Sequence, residues 1–158
     1  MDSSEPNLDI FPVAPSVIDL VRGRDLLMDH YGYWPSFEDA ELIRITLERA
    51  PVGLAATSNL RAVFHLFDIH KAPQDPERKQ SHTEILFSDV GDLKLSDWNH
   101  QNPIQRLSIT RERSASLDCD LFHVVWGGIG HEADFSCSRI HIIDVMDLNP
   151  FRKSLDHF

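Results

Sequence analysis

Apolar and polar residues alternate over most of the chain, and a helical period appears only near its start. Ile43, Ile45 and Leu47 are separated by Arg44, Thr46 and Glu48, the pattern of a half-buried strand. A second strand is predicted from Leu60 to Ile69. Its Leu60, Ala62, Phe64 and Leu66 share one face, while Val63, Phe67 and Ile69 occupy the other, so a central position covered on both sides is expected. Thr83, Ile85 and Phe87 alternate again, followed by a turn near Gly91 and a short Leu93-x-Leu95 strand. Segments 104–110, 121–126 and 135–145 supply three more, the last two joined as a hairpin by glycines 127, 128 and 130. Between the second and third strands, His70 to Ser81 carries Pro73, Pro76 and several charges and reads as an exposed connection.

Val17, Leu20, Val21, Leu27, Met28 and Tyr31 fall near helical spacing, with Ser16 and Asp19 placed as a start and Gly32 as a stop. Gly23 weakens the middle, so the firm part runs from Arg24 to Tyr31. Helical patterns do not alternate with strands, which argues against parallel crossover units. The expected fold is α+β and mainly β, an antiparallel sheet or sandwich with one helix near the N-terminus. Residues 1–15, with three prolines, read as an extended arm, and residues 16–158 as a single domain.

A length of 158 residues suits one domain with a real core. No run approaches the ~20 apolar residues that cross a bilayer, and the opening MDSSEPNLDI carries acids where a secretory signal is basic and then apolar. A cytoplasmic protein without a membrane partner is expected. Cys119 and Cys137 form no CxxC pair. A hairpin turning at Gly127-Gly128 sets Cys137 opposite Asp118, and a longer loop to Asp134 sets it opposite Val124. Neither register joins the cysteines, so free, partly buried thiols are expected.

The formal charge is −10, distributed unevenly. Residues 1–50 hold ten acids against four Lys or Arg, residues 51–111 seven of each, and residues 112–158 eight against four. Such a chain is poorly suited to nucleic-acid phosphates and well suited to fast association with a basic partner.

Nine histidines raise the question of a metal. His65 and His70 lie at no recognised ligand spacing, and His131, Glu132 and Asp134 sit in the hairpin region, where a polar loop explains them. No serine occupies a GxSxG elbow, and the Gly127–Gly130 run lacks the Lys-Ser/Thr of a phosphate loop. Glu38, Asp39 and Glu41 form the one dense acidic group beside aromatic residues, read as a capped turn with Ser36 rather than an acid–base pair. No catalytic residue, metal site or cofactor is expected.

Tyr33, Trp34 and Phe37 around Pro35 have two readings, a plug sealing one end of the sheet or an anchor for a partner. Asn99, His100, Gln101 and Asn102 divide similarly, between satisfying backbone in a tight connection and contacting a partner.

The segment Gly32-Tyr33-Trp34-Pro35-Ser36-Phe37-Glu38-Asp39-Ala40-Glu41 resembles the signature of the immunity protein 50 family, bacterial proteins encoded beside polymorphic toxins. Trp98-Asn99-His100-Gln101-Asn102 resembles a second motif of that family, and Phe135-x-Cys137 fits a third; together they span roughly residues 24–146. The family usually has His before Asp-Ala-Glu, where this chain has Glu38. The resemblance implies a cytoplasmic protein that neutralises a cognate protein toxin by tight stoichiometric binding, without chemistry of its own. An acidic inhibitor suits a toxin with a basic, nucleic-acid-binding groove. On this reading Pro35, Phe37, Asn99, His100, Gln101 and Asn102 hold the fold. Tyr33, Trp34, Glu38, Asp39 and Glu41 are contact candidates, together with the acidic ends of the chain. The alternative is a small β-sandwich enzyme or metal-dependent binding domain using Glu38, Asp39, His131 and Asp134.

Overall fold

The alternating segments form two four-stranded antiparallel sheets packed face to face. A computed structural model describes residues 13–50, 56–113 and 120–148. Its elements are α1 (Pro15–Ile18), α2 (Arg24–Tyr31), β1 (Glu41–Ala50), β2 (Thr57–Phe67), β3 (Gln80–Ser88), β4 (Gly91–Ser96), β5 (Arg106–Arg113), β6 (Asp120–Gly128), β7 (His131–Cys137) and β8 (Arg139–Asp147). One sheet runs in the order β1-β2-β3-β8 and the other β4-β7-β6-β5. The mainly β, antiparallel expectation therefore holds, with the helical turns near the N-terminus. The proposed arm lies outside the described residues up to position 12; Val13 is buried and bridges Ile109 on β5.

The helical spacing divides into two, and the firm part read from Arg24 to Tyr31 is α2. From Asp19 to Gly23 the chain leaves α1 and lays Arg22 along the edge of β8, donating its N–H to Ile140 O and accepting from Ile142 N–H. Gly23 then takes a left-handed φ of 71° so that α2 can begin. A Cβ there would stand 2.3 Å from Ile142 O, closer than any side chain tolerates. Gly32 ends α2, as read from the sequence.

Three strand readings change. In β1 a bulge between Leu42 and Arg44 inserts Ile43. Leu42 therefore faces the core opposite Phe64, Ile45 faces it opposite Ala62, and Ile43 turns outward. In β2, Leu60, Ala62, Phe64 and Leu66 are buried as expected; on the opposite face Val63 is buried too, but Phe67 is half-buried, and among the described residues no second layer lies over that face. The run from Phe135 to Val145 is not one strand. It breaks at Ser138, where the chain crosses from one sheet to the other.

That crossing is pinned to the other direct strand-to-strand crossing, from β3 to β4. Ser138 donates its N–H to Ser88 O at 2.9 Å and its hydroxyl to the Asp89 carboxylate. The hairpin between β6 and β7 turns at Ile129-Gly130, with Gly128 opposite His131. Both anticipated registers are thereby replaced: Cys137 faces Phe122 across the pair. Cys119 lies outside the described residues.

Aromatic rings from both sheets fill the centre. Trp126 of β6 meets Phe64 of β2 edge-on at 5.3 Å and Phe135 of β7 at 5.4 Å between centroids, and Phe87 of β3 meets Phe135 at 5.0 Å. Such pairs contribute roughly 0.5–1.5 kcal/mol each beyond their burial. Cys137 is fully buried at the edge of this cluster, and burial pushes its thiol up to about 12. At mildly alkaline pH only about one thiol in ten thousand is then ionised. In a Cys119→Ser protein, native Cys137 is expected to resist a disulfide reagent and to react fully once the protein is unfolded. Release of one thiol equivalent from native protein within minutes would contradict the burial.

Candidate functional site

The sandwich brings the two motif segments together. Ile104 donates its N–H to Ala40 O at 2.8 Å, Leu42 donates to Asn102 O at 3.0 Å, and Glu41 bridges Pro103. The end of the first motif and the end of the second thus form one short antiparallel contact beside β1. Gly128 completes the junction, since a Cβ there would meet Pro103 O at 2.3 Å. Chain backbone has to approach this closely, and only glycine allows it.

Within the first motif the chain makes a strained corner. Phe37 has φ 63° and Asp39 φ 60°, both left-handed, with Ala40 N–H closing back to Phe37 O. That conformation costs a bulky residue about 1–2 kcal/mol. Burial of the Phe37 ring against Phe64, edge-on at 5.4 Å, offsets it. Trp34 lies tilted over Phe37 with 6.1 Å between ring centres, and Pro35 is buried beneath. Ser36 accepts the Glu38 N–H, which leaves the Glu38 and Asp39 side chains exposed and Glu41 half-buried.

Tyr33 is tied down by a residue that the sequence reading did not single out. Its hydroxyl donates to Asp68 Oδ1 at 2.6 Å, just beyond the end of β2. Asp68 also accepts the His70 N–H at 3.0 Å. Burial alone would raise the Asp68 carboxyl, but these two donors together with the nearby His70 and Lys71 side chains outweigh it and hold it below the usual range. The Tyr33 hydroxyl is pushed upward by burial and by the neighbouring carboxylate. An acid inside the apolar run Phe67-Asp68-Ile69 was the available signal for this contact.

In the second motif Asn102 is buried and clamps the turn. Its Oδ1 accepts the Asn99 N–H at 2.8 Å and its amide donates to Asn99 O at 2.9 Å. Asn99 donates onward to Asp97 O and to Gly130 O in the β6–β7 hairpin. His100 and Gln101 are exposed, as is Trp98, which meets the His131 ring edge-on at 5.8 Å.

The residues of the alternative enzyme or metal reading separate. His131 points into the core, where Nε2 accepts the Trp126 indole N–H at 3.2 Å and the proton on Nδ1 goes to Ser96 O at 3.0 Å. Both ring nitrogens are thereby committed to the protein. Asp134 points outward and pairs with His123 at 2.7 Å. Among the described residues no three His, Cys, Asp or Glu side chains are placed to share a cation. The outward face of β5, β6 and β7 does form an open depression of about 490 Å³ lined by Arg106, Ser108, Thr110, His123 and Glu132. Its residues alternate along three strands, so they collect only once the strands pair.

Two outcomes follow from these contacts. Replacing His131 by Leu leaves the indole N–H buried without an acceptor, and a loss of about 1–3 kcal/mol is expected in chemical denaturation. The same substitution in a Trp126→Phe background should cost less. Tyr33→Phe is expected to cost about 1–2 kcal/mol near neutral pH. Because the folded Asp68 carboxyl lies below its unfolded value, its contribution is complete above the usual carboxylate range. It is lost as pH falls through the folded value, so the difference between wild type and Tyr33→Phe should narrow in acid. A difference independent of pH would rule out the Asp68 linkage.

Comparison with known proteins agrees with the motifs. No curated protein and no solved structure matches the chain significantly. The family model described as Immunity protein 50 matches residues 23–147, from the glycine that opens α2 to the last residue of β8. That match, which covers more than half of the chain and both motif segments, identifies the chain as a member of the Immunity protein 50 family.

Proposed function

We propose that this protein neutralises a cognate protein toxin by direct, stoichiometric binding and performs no chemistry of its own. The observation that carries the reading is family membership over residues 23–147. Its buried motif side chains are occupied in holding the fold: Phe37, Pro35 and Asn102 lie inside, and Tyr33 is bound to Asp68. What remains for a partner at this end of the sandwich is its exposed margin. Glu38 and Asp39 lie exposed there, Trp34 and Glu41 partly so.

The charge of −10 supports a basic partner surface, such as the phosphate-binding groove of a nuclease. Carboxylates at the rim would speed encounter more than they would strengthen the final complex. The acidic ends of the chain are further contact candidates; residues 1–12, 114–119 and 149–158 within them lie outside the described residues. No helix in the described residues is long and apolar enough to cross a membrane.

Co-expression with the product of the neighbouring open reading frame should yield a complex of equal stoichiometry that survives purification and protects cells from that product. The association rate should fall as salt rises, and Glu38→Lys with Asp39→Lys should slow association several-fold with a smaller effect on dissociation. Absence of binding and protection would overturn the proposal. A rate insensitive to salt would remove the basic-groove part of it.

A further inference from the structure

Among the described residues the longest uninterrupted strand edge without a partner is on β1, and its sequence is complementary to itself. The outer edge of β5 is met by Val13 at Ile109, and that of β8 by Arg22 at His141. On β4 the edge is short, interrupted by an irregularity between Gly91 and Lys94 and by a left-handed Asp92. Among the described residues β1 is covered at its start alone, where Asn102 and Pro103 reach Glu41 and Leu42. From Ile43 to Arg49 no described strand pairs with its far side. Seven residues give an edge of roughly 24 Å at about 3.4 Å per residue. It contains no proline, and Leu47 on it is 57% exposed. Open edges of this kind are templates for another strand, and proteins usually cover or break them.

We propose that this edge binds a second copy of the chain, with β1 antiparallel to β1 across a two-fold axis at Thr46. The midpoint of the free run from 43 to 49 is Thr46, so the open length itself sets that centre. In this register Arg44 lies opposite Glu48 of the second copy, twice by symmetry, on the outward face. Ile45 lies opposite Leu47 of the second copy on the core-side face, so the exposed leucine gains an apolar neighbour. Sliding by two residues in either direction sets Arg44 opposite Thr46 or Ala50 and loses both ion pairs. A slip of one would oppose inward and outward faces in a continuous sheet.

The charges already present on that face extend the match. Arg44 lies 3.9 Å from Glu84, Glu84 3.8 Å from Arg61, and Arg61 3.9 Å from Glu48. Within one copy this row is open, with Arg44 and Glu48 both on the edge strand. Two copies in the Thr46 register close it into a ring of alternating sign. Each row is neutral as a set, so two chains of charge −10 can meet here without local repulsion. The product is a continuous eight-stranded sheet that abolishes both open β1 edges. It does not depend on the toxin reading.

Sedimentation of the full chain across a concentration series tests the pairing. A reversible dimer is expected. Arg44→Glu alone and Glu48→Arg alone should each weaken it at least about tenfold, because like charges then oppose twice. The double variant should bind better than either single one, short of wild type because the exchanged charges then face Glu84 and Arg61 of their own copy, and this recovery also shows that the single variants had not simply misfolded. In a Cys119→Ser background, Thr46→Cys should form an intermolecular disulfide rapidly, since directly opposed residues lie roughly 4.5–5.5 Å apart. Arg44→Cys should not. A monomer at every concentration, including one whose own terminal segment covers β1, would overturn the proposal. So would a double variant no better than the single ones, or equal cross-linking at positions 44 and 46.

Discussion

Trp126 is completely removed from solvent, so its indole N–H must find an acceptor inside the protein, and that acceptor is His131 Nε2. The bond joins two strands of one sheet, and its reach extends well past them. Accepting at Nε2 places the His131 proton on Nδ1, where it goes to Ser96 at the end of β4. The edge strand β4 is therefore held at its end by the same ring that satisfies the core tryptophan. On its other side the Trp126 ring meets Phe64 and Phe87 of the facing sheet. A single polar contact in an apolar centre thus positions both layers and the start of the second motif. Buried polar groups are costly unless fully paired, and the indole N–H and both imidazole nitrogens of this pair are.

The motif junction depends on that centre. Phe37 holds an unfavourable backbone conformation because its ring is packed on Phe64, which in turn rests on Trp126. The left-handed corner releases Glu38 and Asp39 to the surface and lets the next residues enter β1 beside Asn102. Pro35 and Phe37 seal the end of the sandwich, while the charged residues between them and β1 form its rim.

Charge follows the architecture in the same way. The outer face of β1, β2 and β3 carries arginines and glutamates in alternation, whereas the surplus of acid lies toward the two ends of the sequence. Loose surface pairs at 3.8–3.9 Å add little stability within one chain. Their arrangement governs which surfaces can approach one another. The edge of β1 is locally balanced, and the rim at Glu38 and Asp39 is acidic.

Much of the fold was legible because period-two patterning is a local property. β2, β3, β5 and β6 appear as alternating runs, and Gly32 announces the end of α2. The bulge at Ile43 was hidden because an inserted residue leaves the alternation looking regular on both sides. The break at Ser138 was hidden because both halves of the run are strands, and only their sheet membership differs. The turn at Ile129-Gly130 was obscured by two nearby glycines, one of which is needed for the approach of Pro103 rather than for turning. Of the site, the sequence by itself determined the motif residues and the family they point to, since residue identity carries that signal. The partner of Tyr33, the inward commitment of His131 and the meeting of the two motifs were decided by tertiary structure. Each depends on strands distant in sequence becoming neighbours, and no local pattern encodes that distance.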